Sequence, residues 1–334
     1  MRSQGPQNHN QKPPLKSILS IKDLSVRYGS ETALDSLCVD IMPREIVGII
    51  GPNGAGKTSF IKALCGRLKS EGDIIIAGKP IKKGQSRQKY IGLVPQDIGL
   101  YGHMTAKENL HIFARIMRIK SSVTEKRITA ALKAVGMSDK ADARVETLSG
   151  GMKRRINVAA AIMHQPKILI LDEPTAGVDV PARDTIHKLA RLLANTGMGV
   201  LLITHELEQA EAFCNKILVL DKGRKLAFAS PTNLLAECFG HNREVTVRFS
   251  TPPSPELISA VTPFKFTMGD LPTIWKTMTS ASEVSFVSAF MAAVKNGDRH
   301  IREISVGRPG LSSLMYHLEK NDELPHVKLQ SKAS

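Results

Sequence analysis

The sequence predicts an α/β fold with a parallel β-sheet, followed by a smaller α+β module. Four continuous apolar segments are typical of strands buried on both faces: EIVGII (45–50), KILILD (167–172), GVLLIT (199–204) and KILVLD (216–221). The first of them leads into a Gly-rich turn and a predicted helix from Lys57 to about Leu68, an order typical of α/β folds. Apolar residues at three- and four-residue intervals predict further helices between residues 97 and 147.

Other segments surround this predicted core. Alternating apolar and polar residues from about Leu19 to Ile41 predict half-buried antiparallel strands. The composition changes near residue 240. Beyond it we predict strands at EVTVRFS (244–250), FKFTM (264–268), TIWKTM (273–278) and IREISV (301–306), a break at TPPSPE (251–256), and helices near 282–296 and from about Leu311, which together predict an accessory module. We therefore predict a flexible leader at 1–17, a main domain at 18–238, an α+β module at 241–320 and a flexible tail at 321–334.

The chain of 334 residues is strongly basic, with a formal net charge of +15. Residues 241–334 contain 11 Lys and Arg and 9 Asp and Glu, a charge of +2, so the preceding residues carry +13. This excess suits nucleotides, nucleic acid or an anionic membrane surface equally, and a solvated basic surface explains it as well. Because no apolar run approaches the roughly 18 residues that span a bilayer, we expect a soluble chain. The four cysteines lack metal-ligand or redox spacing, which favours reduced thiols in the cytosol.

The Gly-rich turn has the spacing of a phosphate-binding loop, or P-loop. GPNGAGKTS follows a predicted strand and opens a predicted helix, which is the context that this motif requires. Glycines let successive N–H groups point at phosphate oxygens, and the helix N-terminus adds partial positive charge. The lysine would reach the β- and γ-phosphates, and the threonine hydroxyl would bind Mg²⁺. The predicted nucleotide-binding residues here are Gly51, Pro52, Asn53, Gly54, Ala55, Gly56, Lys57, Thr58 and Ser59.

Two carboxylates end a later strand, in ILILDEP (168–174). Asp172 at the end of the strand is placed to hold Mg²⁺ through water. Glu173 points elsewhere and would orient or deprotonate the attacking water. An Asp-Glu pair is also common at the start of surface turns, so this assignment depends on the P-loop upstream.

Five further short motifs complete a pattern. They are Tyr28 in VRYG, Gln96 in VPQD, LSGGM (148–152), Asp179 in AGVD and His205 in ITHE. With these motifs in this order, residues 19–238 resemble the nucleotide-binding subunit of an ATP-binding cassette (ABC) transporter. The resemblance implies a P-loop NTPase cassette with a RecA-like parallel core, an antiparallel β subdomain and a helical subdomain.

The resemblance also implies an ATPase and a role for each motif. Tyr28 would stack on adenine, Gln96 would link Mg²⁺ to a membrane partner, and His205 would contact the γ-phosphate. The implied catalytic residues are Glu173, His205 and Lys57, and the implied Mg²⁺ ligands are Thr58, Gln96 and Asp172. ATP and Mg²⁺ are therefore the expected cofactors.

The LSGGM signature implies that two cassettes cooperate. In the family two cassettes pack head to tail, and Ser149, Gly150 and Gly151 of one would grip the γ-phosphate of the ATP held by the other. The D-loop residue Asp179 would lie at the same junction. Because the chain has one P-loop and one signature, we expect a homodimer or a pairing with a second cassette subunit. Met152 occupies a position where many members of the family have Gln. The backbone N–H donors of the signature do not depend on that side chain, so they remain.

Several stretches resemble exporter-type cassettes that serve bacterial drug, lipid and polysaccharide exporters. This implies a separate transmembrane permease and a peripheral position on the cytoplasmic face of the plasma membrane, with no nucleic acid as partner. The region around His111, Arg115, Met117 and Arg118 is either the permease contact or an ordinary amphipathic helix. Arg154 and Arg155 follow the signature and either meet acidic groups of a partner or lie on a solvated helix face. An importer cassette, or an ABC ATPase that acts on nucleic acid or ribosomes, is the alternative function.

Overall fold

The computed structural model describes residues 16–81, 87–269, 271–294 and 301–321. Most of the predicted leader and nearly all of the predicted tail lie outside the described residues. The chain forms two compact units: one comprises residues up to His205 together with Phe213–Lys225, and the other comprises Glu206–Ala212 and the residues from Leu226 onward. The predicted domain boundaries stay a prediction.

The first unit contains nine strands and five α-helices within the described residues. The strands are β1 Leu19–Tyr28, β2 Glu31–Ile41, β3 Ile46–Ile50, β4 Glu71–Ile76, β5 Lys79–Pro80, β6 Ile91–Val94, β7 Ile168–Asp172, β8 Gly199–Ile203 and β9 Lys216–Asp221. The helices are α1 Lys57–Leu64, α2 Ala106–Ile116, α3 Ser121–Ala134, α4 Gly150–Ile162 and α5 Val180–Asn195. A tenth strand, β10 Arg224–Ala229, runs across the boundary between the units.

The predicted antiparallel strands near the N-terminus are confirmed. They form a sheet in the order β2-β1-β4-β5, in which β1 pairs antiparallel with both β2 and β4. Buried and exposed residues alternate along much of β2, because one face of the sheet is buried and the other is solvated.

A parallel sheet forms the core of the first unit, as the continuous apolar segments predict. Its strands lie in the order β9-β3-β8-β7-β6, and every residue of β3 and β8 is buried. The carboxyl ends of parallel strands meet at one edge of a sheet. The P-loop follows β3, Gln96 follows β6, Glu173 follows β7 and His205 follows β8, so the topology brings these motifs to that edge.

The loop after β6 that contains Gln96 is called the Gln loop below, and the region between it and the signature is helical, as predicted. Helix α2 begins with a complete capping box, in which Thr105 and Glu108 each accept a hydrogen bond from the other's backbone N–H. Helix α1 ends at Leu64, four residues before the predicted end, and Gly66 then adopts a positive φ of 73°.

The second unit contains a βαββαβ module with the antiparallel strand order β12-β13-β11-β14. This is the ferredoxin-like arrangement. Its strands are β11 Arg243–Phe249, β12 Thr267–Met268, β13 Ile274–Thr279 and β14 Ile301–Gly307. The helices of the unit are α6 Leu207–Phe213, whose last residue belongs to the first unit, α7 Pro231–Phe239, α8 Pro255–Val261, α9 Glu283–Val294 and α10 Leu311–Asn321.

An apolar core holds the module together. Val245 and Val247 of β11 pack with Phe286 and Phe290 of α9, and Phe264 meets both phenylalanine rings edge to face. The predicted strands and the predicted helix near 282–296 are found, and α8 is an addition that the sequence pattern did not predict. Among the described residues, every helix falls short of the length and apolarity needed to cross a bilayer.

Candidate nucleotide site

The P-loop has the backbone that its glycines permit. Gly56, the residue before α1, has φ 99°, and a Cβ there would lie 2.7 Å from the carbonyl oxygen of Ala33. A Cβ at Gly51 would lie 2.1 Å from the carbonyl oxygen of Leu220 on β9. Both positions therefore require glycine for close backbone approach as well as for conformation.

The predicted nucleotide-binding residues gather around one cleft of about 650 Å³. The predicted residues that line it are Tyr28, Asn53, Gly54, Ala55, Gly56, Lys57, Thr58, Ser59, Gln96, Asp172, Glu173 and His205. Gly51 and Pro52 lie in the same loop without lining the cleft. Tyr28 is 46% exposed at its margin, as a residue that stacks on a ligand base requires.

Lys57 is the first residue of α1, and its ammonium lies within the loop. The Nζ atom donates hydrogen bonds to the carbonyl oxygens of Gly51 at 2.5 Å and Pro52 at 2.9 Å. Burial lowers the pKa of Lys57, and the nearby carboxylate of Glu173 partly offsets this effect. The cleft therefore holds a cation beside the glycine-rich backbone, which is what an anionic polyphosphate needs.

Asp172 and Glu173 occupy different environments although they are adjacent. Asp172 is the last residue of β7, opposite Ile203 of β8, and burial raises its pKa against the attraction of Arg154 and His205. Glu173 leaves the strand with a φ of 47°, a left-handed conformation that is uncommon outside glycine. Its backbone N–H donates to the carbonyl oxygen of Ile203 at 3.0 Å, which holds this turn against β8.

The carboxylate of Glu173 pairs with His205. The His205 Nε2 atom lies 3.3 Å from Glu173 Oε1, and the His205 backbone N–H donates to the other carboxylate oxygen at 3.4 Å. The side chain of Glu173 is 13% exposed, whereas that of His205 is 62% exposed. A largely buried carboxylate beside an exposed imidazole at the mouth of the cleft is suited to proton transfer and to contact with an arriving phosphate.

The signature and the D-loop form a second group, outside this cleft. Ser149 caps α4 by accepting a hydrogen bond from the backbone N–H of Met152 at 3.3 Å, and Asp179 caps α5 in the same way. The two helix N-termini lie side by side, because a Cβ on Gly151 would be 2.6 Å from the Cβ of Ala182. Ser149, Gly150, Gly151 and Asp179 therefore share one surface and do not line the cleft of their own chain.

Several residues of the cleft were absent from the sequence prediction. They are Glu31, Thr32 and Ala33 at the start of β2, Ile61 of α1, Ile203 of β8, and Lys222 and Gly223. Gly223 lies against the backbone of Ala33, where a Cβ would be 2.8 Å from the carbonyl oxygen. A Lys-Gly turn after an apolar strand signals a loop, and only the pairing of β9 with β3 brings that loop to the P-loop.

The two arginines after the signature differ in their surroundings. Arg154 is only 3% exposed, so the prediction that it lies on a solvated face or meets a partner is wrong. Arg155 is half-buried and donates to the carbonyl oxygens of Val135 at 3.4 Å and Gly136 at 3.1 Å, just after α3. Arg155 therefore stabilises the end of α3.

The sequence matches known proteins over the unit that carries this site. The ABC transporter family matches residues 34–176. The chain is 36% identical over 225 residues to the linearmycin resistance ATP-binding protein LnrL of Bacillus subtilis, covering 67% of this chain and 72% of that protein. It is 37% identical over 224 residues to the Nod factor export ATP-binding protein I of Cupriavidus metallidurans, covering 66% and 74%.

A solved structure supports the same assignment. The cbiO1 protein of Clostridium perfringens, part of the ABC transporter complex cbiONQ, superposes with a TM-score of 0.61 at 29% identity, covering 66% of this chain and 92% of that one. The predicted ABC cassette fold is thereby confirmed. The identity, the coverage and the shared fold show that this chain belongs to the family of ATP-binding subunits of ABC transporters, which are ATPases coupled to transport.

Proposed function

We propose that this subunit hydrolyses Mg²⁺-ATP between two cassettes and thereby drives a separate membrane permease that exports its cargo. The observation that carries the proposal is the separation of the two phosphate-binding groups. Ser149 to Gly151 offer a helix N-terminus on a surface outside the cleft that the P-loop helps to form. In a head-to-tail pair, each signature would close over the nucleotide bound by the other cassette.

The donor set of the cleft fits Mg²⁺. Thr58, Gln96 and Asp172 offer a hydroxyl, an amide and a carboxylate oxygen at one cleft, and Mg²⁺ prefers oxygen ligands. Within the described part of the chain, no group of three or more His, Cys, Asp or Glu residues is arranged to hold a metal. A donor set with a single carboxylate suits Mg²⁺, which would take its other ligands from water and nucleotide phosphates. The ion would neutralise charge on those phosphates.

The remaining residues supply the chemistry. Glu173 accepts a proton from the attacking water, while Lys57 and His205 stabilise the charge that develops on the γ-phosphate. His205 exchanges its contact with Glu173 for one with phosphate, because its exposed ring lies at the mouth of the cleft. Hydrolysis then weakens the shared phosphate contacts, and the two cassettes separate.

A second groove, of about 780 Å³, suits the permease. We call it the helical groove; it is lined by Gln88, Lys89, Ile116, Met117, Arg118, Ile119, Lys120, Val123, Arg127, Met163 and His164. Its apolar residues are interspersed with four cationic side chains, and none of its described lining residues is acidic. This combination fits a short amphipathic helix with apolar and acidic residues. Of the sequence-predicted contacts, Met117 and Arg118 line the groove, whereas His111 pairs with Glu125 at 2.9 Å.

We expect Ile116→Asp to weaken the association with the permease. Ile116 is 60% exposed in the last turn of α2, so an acidic residue there repels an acidic partner and leaves the core intact. Copurification of the permease should fall about tenfold, the equivalent of about 1.4 kcal/mol, while the basal ATPase rate of the isolated chain stays within about twofold. Pull-down with quantitative mass spectrometry and a phosphate-release assay measure these two effects.

Leu192→Asp is the matched control. Leu192 is 62% exposed in the last turn of α5, so the substitution has the same chemistry and the same helix position away from the helical groove. An equal loss of permease in the control, or full retention in Ile116→Asp, would show that the helical groove is not the docking surface.

The names of the relatives support the export direction. LnrL is a linearmycin resistance ATP-binding protein, and the relative from Cupriavidus metallidurans is a Nod factor export ATP-binding protein. An importer remains the alternative, and dependence of transport on a separate substrate-binding protein would identify it. We place the subunit on the cytoplasmic face of the membrane, held there by its permease.

One experiment tests the whole proposal. Tagged Glu173→Gln chain is extracted from solubilised membranes in the presence of ATP and Mg²⁺, and the proteins bound to it are identified by mass. We expect a hydrophobic protein with several predicted membrane spans. Recovery of ribosomal proteins or nucleic acid in its place would overturn the proposal and make the basic charge the main clue to function.

A further inference from the structure

Arg154 is a buried arginine that the proposed mechanism does not use. It lies five residues after the cap of α4, and only 3% of its surface is exposed. An arginine is almost always charged, and burying a charge is costly unless it is paired or hydrogen-bonded. Its burial therefore calls for a specific partner.

The guanidinium of Arg154 is bound at the base of the Gln loop. Its Nη1 atom donates to the carbonyl oxygen of Pro95 at 2.7 Å, one residue before Gln96. The carboxylates of Asp97 and Asp172 attract it electrostatically. Its Nε atom is buried without a hydrogen-bond partner among the described residues. The partners of Arg154 thus lie on either side of Gln96 and at the proposed Mg²⁺ ligand Asp172.

Helix α4 is fixed against the strand that leads to this loop. A Cβ on Gly92 of β6 would lie only 2.2 Å from the carbonyl oxygen of Ala161, so helix and strand backbones are in close contact. Val94 pairs with Leu171, which places Pro95 beside Asp172 at the ends of neighbouring strands. A hydrogen bond from α4 to Pro95 therefore joins two rigid elements, so that the residues after β6 can move little relative to α4.

The neighbours of Arg154 on α4 have other contacts. Lys153 donates to the carbonyl oxygen of Glu146 at 3.3 Å, and Arg155 holds the end of α3. Of the hydrogen bonds that these three cationic residues make within the described part of the chain, the bond from Arg154 to Pro95 is the one that reaches the Gln loop. The same helix presents Ser149 to Gly151 at its N-terminus, one turn away.

We propose that Arg154 is a positioning residue for ATP hydrolysis, which ties the base of the Gln loop to the signature helix. This inference rests on the proposed function, in which the signature binds the nucleotide of the second cassette. When that nucleotide binds to the N-terminus of α4 and displaces it, the hydrogen bond between Arg154 and Pro95 transmits the displacement to the Gln loop. Gln96 is thereby aligned with Thr58 and Asp172. Each cassette thereby aligns its own cleft in response to the nucleotide of the other.

Arg154→Met tests the proposal, because Met has similar length and packs in a buried site without charge or donor. Removing one partner of a buried charged contact destabilises a protein, so we expect the melting temperature to fall by about 5–10 °C while the variant stays folded. ATP affinity should stay within about threefold. The kcat should fall by about tenfold or more, because a small displacement of a positioning group lowers the rate strongly. The Mg²⁺ concentration for half-maximal activity should rise about threefold or more.

Two further measurements separate positioning from folding. Amide hydrogen exchange of residues 95–101 should become faster in Arg154→Met without any ATP turnover, while exchange in α4 stays unchanged. Lys153→Met is the matched control on the same helix and should leave kcat, Mg²⁺ dependence and exchange unchanged. Arg154→Lys retains the charge and should recover only part of kcat, because a lysine lacks the reach and the fork of arginine.

The outcomes are decisive in each case. Normal kcat and normal exchange at 95–101 in a folded Arg154→Met variant would overturn the proposal. If Arg154→Met does not fold, Arg154→Lys is the test of the proposal. A loss of about threefold or more in kcat at an unchanged melting temperature supports a positioning role for Arg154, and an unchanged kcat overturns that role. If the parent chain hydrolyses ATP without forming pairs, the two-cassette mechanism fails, whereas the exchange at 95–101 still tests the contact with Pro95.

Discussion

Glu173→Gln should abolish ATP turnover while the protein still binds ATP. Glutamine preserves the size of the side chain and can still accept the hydrogen bond from the backbone N–H of His205. It cannot accept a proton from water, and loss of a general base costs about 10²- to 10⁴-fold in rate. We therefore expect kcat to fall at least about 100-fold. Nucleotide affinity should change little, because the P-loop and Lys57 are intact.

The same variant should accumulate as a pair of cassettes when ATP and Mg²⁺ are present. Light scattering after size-exclusion chromatography measures this, with phosphate release measured in parallel. Glu208→Gln is the control, since it makes the same chemical change at an exposed position on α6. Normal turnover by Glu173→Gln would show that another group activates water. A monomer at saturating ATP would contradict the shared site.

The sequence predicts which residues line the cleft well, because its motifs are local. In the P-loop, the residue types themselves indicate the backbone conformation. The turn requires glycine at Gly56, and a helix must follow it so that the helix N-terminus can face a phosphate. The continuous apolar strands also reveal a parallel sheet, whose strands end at one edge. Motifs that follow different strands are thereby predicted to meet, although 121 positions separate Gly51 from Asp172.

Features made by distant segments could not be predicted in this way. The helical groove combines residues that precede β6, the end of α2, part of α3 and the residues after α4. Arg154 is more instructive, because helix periodicity and charge suggested a solvated residue. Its burial follows from the close packing of α4 on β6, which depends on Gly92, a residue with no signal of its own in the sequence.

The second unit shows the same limit at the level of topology. Its strands and main helix are visible as short apolar patterns, yet the order β12-β13-β11-β14 is a long-range property. Pro255 at the start of α8 occupies the first turn of a helix capped by Ser254, and a run of prolines at TPPSPE suggested only a break. The helix has seven residues, too few for a periodic pattern to stand out.

Lys57→Ala should remove most of the affinity for ATP. The ammonium of Lys57 now donates to the carbonyl oxygens of Gly51 and Pro52, and an arriving phosphate offers stronger, charged acceptors at the same place. Because the site is partly buried, this charge is screened less than one on the surface. We expect Kd to rise about 100-fold, equivalent to about 2.7 kcal/mol, which lies in the range of a hydrogen bond between charged groups.

Fluorescent-nucleotide titration measures the affinity, and circular dichroism checks that the variant is folded. Lys62→Ala is the matched control, since Lys62 is exposed in the last turn of the same helix and carries the same charge. If both variants lose affinity equally, the attraction comes from the general positive field and not from a contact at the P-loop. If Lys57→Ala binds ATP normally, the glycine-rich backbone and the N-terminus of α1 alone hold the phosphates, and the role of Lys57 is confined to the transition state.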